Sequence, residues 1–224
     1  MDIVLYLILG FIDVMAILTV TFRLFRFPIR MFLKDIITIG VALSCTSFVM
    51  RLLLNVPELD LGIQFILYIL FFRYLIKIKI FDSLLFASIG CLFVIVVQII
   101  FYHFFLFISI VIPADMQSTS NLGTYLIQIT SQITCFLLAW CFYRFNLGFS
   151  FVMCPPQDVH LKVKVKGINI LILFGIGVSI ATLFLAPYLL IYYLNWLHVA
   201  AFVMTTLLCL LYYATNKRDV ADIW

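Results

Sequence analysis

The stretch IVLYLILGFIDVMAILTVTFRLFRFPIRMFLK, residues 3–34, decides the class of the fold. Residues 3–22 are apolar apart from Asp13, Thr19 and Thr21, and Arg23, Arg26, Arg30 and Lys34 follow directly. A helix needs about 20 apolar residues to cross the hydrocarbon core of a bilayer. A cluster of Lys and Arg beside such a run marks the side that stays in the cytoplasm. Asp2 is the one charged residue ahead of the run, with no Lys or Arg. It therefore lacks the basic leader of a cleaved signal, and the first span is expected to be retained with the N-terminus outside.

The same reading extends along the chain. Apolar runs at 3–22, 36–54, 61–76, 84–112, 122–143, 168–188 and 197–214 predict seven transmembrane helices in one all-α, polytopic membrane bundle covering residues 1–224. Asn55, Pro57, Glu58 and Asp60 read as a short acidic turn, because proline removes a backbone donor and interrupts a helix. The run 84–112 exceeds one crossing, so it is expected to tilt or protrude. Thirteen of the 14 Lys and Arg residues fall on one side of this parse and only Arg51 on the other. The N-terminus is thus expected outside and the C-terminus inside, which requires an odd number of crossings.

Composition excludes a soluble domain. Hydrophobic residues make up 66% of the 224 and charged residues 11%, whereas soluble surfaces are about a quarter to a third charged. The connections are too short for a separate catalytic domain. The six cysteines, at 45, 91, 135, 141, 154 and 209, form no CxxC and none lies in an outer turn, so no disulfide framework is expected. There is no P-loop and no GxGxxG, and neither cofactor, metal nor nucleic-acid partner is expected.

Ionisable and amide side chains inside spans carry the functional expectations, because polar groups at membrane depth are costly. Asp13 lies about 15 Å below the outer boundary of the first span at 1.5 Å per residue. The same arithmetic places His103 and Gln132 at matching depth, Arg51 and Gln64 higher, and Gln98 deeper. Thr124, Gln128, Ser131, Gln132 and Cys135 recur on one helical face. Asp13, Arg51, Gln64, Gln98, His103, Gln128 and Gln132 therefore form a candidate polar cavity open to the outside, with interhelical packing as the competing reading. Gly40, Ser44, Ser47, Gly175 and Ser179 read as close-packing residues.

The longest connection, residues 144–167, is expected on the cytoplasmic side facing a partner. Val159–Lys166 alternates apolar residues with His160, Lys162, Lys164 and Lys166, a strand-like period. Cys154 and His160 supply a thiol and a base but no orienting third group, so catalysis is not expected of them.

Seven spans, an outside N-terminus, short outer turns and an inside C-terminus resemble the sensor region of the accessory-gene-regulator type peptide-pheromone receptor histidine kinases of Gram-positive bacteria. The resemblance is architectural and covers the spans; the family's dimerisation helix and ATP-binding domain would follow residues 216–224, where this sequence ends. It implies a bacterial plasma-membrane module that binds a peptide or small amphipathic ligand in its outer half and signals to a kinase or other membrane partner. Size and charge also resemble the membrane cysteine peptidases that process precursor peptides, but those place histidine before cysteine, whereas Cys154 precedes His160 here. The expected function is therefore a non-enzymatic sensor-like protein, the alternatives being a small transporter or permease subunit and a thiol peptidase.

Overall fold

A computed structural model describes residues 3–112, 121–152, 167–192 and 197–223. Seven long helices run among the described residues: α1 (Ile3–Leu24), α2 (Leu33–Phe48), α3 (Pro57–Tyr74), α4 (Ile80–Phe107), α5 (Leu122–Arg144), α6 (Ile168–Tyr192) and α7 (Leu197–Ile223). A 3-10 turn at Ile29–Phe32 leads into α2, and a π-helical turn at Val49–Leu53 extends it.

Six segments are long and apolar enough to cross a membrane: Ile3–Leu24, Ile29–Leu53, Ile80–Phe107, Leu122–Arg144, Ile168–Tyr188 and His198–Val220. The chain is a multi-pass membrane protein. α3 is equally apolar between Leu61 and Phe72 but carries Glu58, Asp60 and Arg73 near its ends. Large apolar side chains such as Ile8, Val41, Ile100, Leu137, Trp140 and Phe202 stand exposed on the bundle surface, where water would penalise them and acyl chains do not.

Successive helices alternate in direction. Tyr6 near the start of α1 meets Ser47 near the end of α2, while Phe22 near the end of α1 meets Phe72 near the end of α3. Arg218 at the far end of α7 bonds Asp82 in the first turn of α4. Arg26 after α1 bonds the carbonyl of Asn146 after α5. Ten of the eleven described Lys and Arg residues consequently gather at one end of the bundle, the exception being Arg51.

Helix endings follow one device. Arg26, Asn55, Lys77, Ser109 and Asn146 close α1 to α5 (for α2, after its π turn) in the left-handed region, with φ between 52° and 61° for the first four and 53° for Asn146. After three of them an amide reaches back five residues, as in Phe27 N–H to Phe22 O, satisfying carbonyls that a helix end would orphan. Phe27 and Ile78, just beyond these stops, are folded into the core.

The boundaries shift in three places. α3 starts at Pro57, not after Asp60, because proline at the first helical position gives up an amide that has no intrahelical acceptor anyway. The acidic residues belong to the first turn of that helix, where its dipole favours them. α4 covers 80–107 rather than 84–112, and α7 runs nine residues past 214.

Candidate functional site

Side-chain hydrogen bonds between helices concentrate in the half of the bundle opposite the basic end, where Arg218–Asp82 is the corresponding tie. The centre of this polar half is Asp60, fully buried at the start of α3. Gln64, one turn on, donates from Nε2 to Asp60 Oδ1 at 2.9 Å. Ser47 Oγ donates to Oδ2 at 3.0 Å, and Arg51 Nε donates to the same oxygen in an ion pair. Because the Ser47 proton is committed to Asp60, the Tyr6 hydroxyl is the donor in its 3.0 Å bond to Ser47 Oγ. Tyr6 packs edge-on against Phe48. Four side chains from α1, α2 and its π turn, and α3 thus converge on one carboxylate, three directly and Tyr6 through Ser47.

Local sequence explains the convergence. Ser47 and Arg51, like Asp60 and Gln64, are four residues apart and therefore share a helix face. Leu54 N–H bonds Val49 O and Val56 N–H bonds Met50 O, widening the end of α2. Such π turns rotate a side chain relative to a regular helix, and this one carries the guanidinium that meets Asp60.

A second polar layer lies on the other flank of α1. Gln98 Nε2 of α4 donates to Asp13 Oδ1 at 3.4 Å. Gln132 of α5 donates to Leu9 O at 3.1 Å and its side chain adjoins the Asp13 carboxyl. Among the described residues no Lys, Arg or His forms an ion pair with Asp13. Asp13 therefore sits between α1, α4 and α5 beside the two amide side chains of Gln98 and Gln132.

Below that layer the interior becomes aromatic. Phe25 stacks on Phe86 at 4.0 Å between centroids, and Phe27 and Phe72 meet Phe86 edge-on at 5.6 and 5.8 Å. Phe22 and Phe149 complete the cage, and all six rings are buried. Phe149 comes from the segment after α5. Its amide bonds Leu24 O at 2.7 Å, and Gly148 at φ +139° is required there, since a Cβ would meet that same oxygen at 2.4 Å.

The sequence-derived candidates thus divide. Arg51 and Gln64 join the Asp60 cluster; Gln98 and Gln132 join Asp13; Gln128 is half-buried at the upper end of the same α5 stripe, its carbonyl accepting from Ser131. His103 does not reach Asp13. α4 ends at Phe107, so His103 lies only about 6 Å from the helix end, and its ring meets His198 of α7 at 2.8 Å. Gln98, expected deeper, is the residue at Asp13's level. Asp60, Ser47 and Tyr6 are members that the sequence reading passed over, Asp60 as a turn residue and Ser47 as a packing residue. Cys154, His160, Lys162, Lys164 and Lys166 lie outside the described residues.

Among the described residues no group of three or more His, Cys, Asp or Glu side chains is placed to hold a metal ion. Compared with known proteins, the chain matches no family model, no curated protein and no solved structure.

Proposed function

We infer that the chain is a sensor-like membrane module that receives a peptide or small amphipathic ligand in the polar half and passes the change of helix packing to a partner at the basic end. The carrying observation is the asymmetry along the bundle axis: hydrogen-bonding side chains reach down to Asp13, and the six-phenylalanine cage closes the space beyond. A transport pathway needs polar groups lined up through both halves; in the basic half the cage supplies none, and the buried Asp82–Arg218 pair is closed on itself as an ion pair in the first turn of α4.

Orientation rests on charge. Lys and Arg gather at the cage end, the pattern of a cytoplasmic face, so the Asp60 cluster faces outside. The reading includes α3 as a seventh crossing: its 18 residues span about 27 Å, and the carboxylate that most disfavours insertion is neutralised by Arg51. A bacterial plasma membrane and a kinase partner belong to the same reading, through the architectural resemblance to pheromone-receptor sensor regions.

Thiol accessibility separates receptor from transporter. In a cysteine-free background, Gln64→Cys should react with a small polar thiol reagent added outside. Val20→Cys, buried about two turns below Asp13 against Cys135 and Ala139, should stay unreactive from either side. Modification of Val20→Cys from the inside would replace the sensor reading by a transport pathway.

A further inference from the structure

We propose that His103 and His198 form a two-imidazole site for a divalent transition-metal ion of the Cu2+ or Ni2+ type at the outer end of α4 and α7. This site is separate from the Asp13 and Asp60 clusters and does not depend on the sensor reading.

The first observation is the pair itself. His103 Nε2 and His198 Nδ1 are 2.8 Å apart, with ring centroids at 4.8 Å and planes at 52°. The second is the bond that holds one ring. His103 Nδ1 lies 2.8 Å from Ile99 O, and a carbonyl only accepts, so Nδ1 carries the hydrogen. Nε2 of neutral His103 therefore presents a lone pair, and His198 Nδ1–H is the donor between the rings. A backbone carbonyl on the far nitrogen is the usual orienting contact of a metal-bound histidine.

Distances favour one coordination geometry. Two nitrogens each about 2.05 Å from a metal lie roughly 2.9 Å apart at a 90° bite and about 3.3 Å apart at a tetrahedral one. The observed 2.8 Å is close to the right-angle value, which square-planar and tetragonal Cu2+ and Ni2+ adopt. On the same basis the centroids of two bound rings would be about 4.5 Å apart at 90° and about 5.2 Å apart at the tetrahedral angle, and the observed 4.8 Å lies between them. The rings need only tilt until both lone pairs converge. The His198 hydrogen moves from Nδ1 to Nε2 through solvent, so a neutral pair binds with no net release of protons. Water completes the coordination, since no third protein ligand stands nearby among the described residues.

Location makes the site reachable. His198 is exposed in the first turn of α7 and His103 is partly exposed about one turn before the end of α4, so both rings stand at the ends of apolar spans and not in their middles. Bound metal would clamp the ends of two helices whose polar tie at this level is the imidazole bond.

The test uses the full chain without an affinity tag, purified in detergent. At pH 8, one equivalent of Cu2+ should give an electron paramagnetic resonance spectrum with hyperfine structure from two nitrogens. Cu2+ and Ni2+ should raise the unfolding temperature by several degrees, and Mg2+ should not. Both effects should vanish in His103→Gln and in His198→Gln separately. They should persist in His160→Gln, the chain's remaining histidine. A spectrum with fewer than two nitrogens in the parent chain, or stabilisation that survives in the His103→Gln/His198→Gln double variant, would overturn the proposal. The parent spectrum decides the matter even if a histidine variant folds poorly.

Discussion

The two halves of the bundle are held together by different physics. Around Asp60, three donors from α2 and α3 surround one carboxylate, and a few ångströms of displacement would leave charge unpaired in a poorly solvating medium. Around Phe86, five further aromatic rings from α1, the segment just after it, α3 and the 145–152 segment interlock without a hydrogen bond between their side chains. In lipid, apolar burial gains little from leaving water, so helix association depends on close packing and on polar ties. The aromatic half supplies the packing. The polar half supplies bonds that an incoming ligand can compete for, which is where a binding function is expected.

The contrast yields graded predictions. Phe86→Ala should be the most damaging, about 3–5 kcal/mol, because every other ring but Phe22 and Phe149 touches it directly; detergent unfolding curves measure this. Arg51→Ala should follow at about 3 kcal/mol, since it strands a buried carboxylate. Adding Asp60→Asn to that variant should recover part of the loss. Equal losses in the single and double variants would show that Arg51 acts through its stem and not its charge.

Gly148→Ala should cost about 1–3 kcal/mol, the usual range for forcing a side chain into a glycine conformation. It should do so by releasing Phe149, seen as faster proteolysis near residue 149. The smallest effect belongs to Asp13→Asn, which keeps a hydrogen-bonding group beside Gln98 and Gln132. Its stability should stay within about 1 kcal/mol of the parent, whereas signalling should fall if the carboxylate contacts ligand. A full signalling response in Asp13→Asn would assign Asp13 to packing.

The helices of the bundle were legible because each is an apolar run barred by Lys or Arg, and insertion reads that pattern locally. Gly40, Ser44 and Gly175 were legible for the same reason: a small residue on a helix face signals close approach, and Phe11, Leu7 and Leu211 take up that space. Asp60 was obscured by its neighbours. Pro57 both ends and begins helices, and only the fold distinguished the two. The four-residue spacing of Ser47 and Arg51, facing that of Asp60 and Gln64 across a short turn, was the available signal. The His103–His198 contact had none, since 95 residues separate the rings and their meeting depends on α7 packing beside α4.

Orientation tests the account most directly, because the polar half binds an external ligand only if it faces outside. In intact cells carrying cysteine-free protein, Ser118→Cys in the α4–α5 connection should react with a membrane-impermeant maleimide. Lys164→Cys in the α5–α6 connection should react only after the membrane is opened. Labelling of Lys164→Cys in intact cells with Ser118→Cys protected would place the aromatic cage outside and contradict the account.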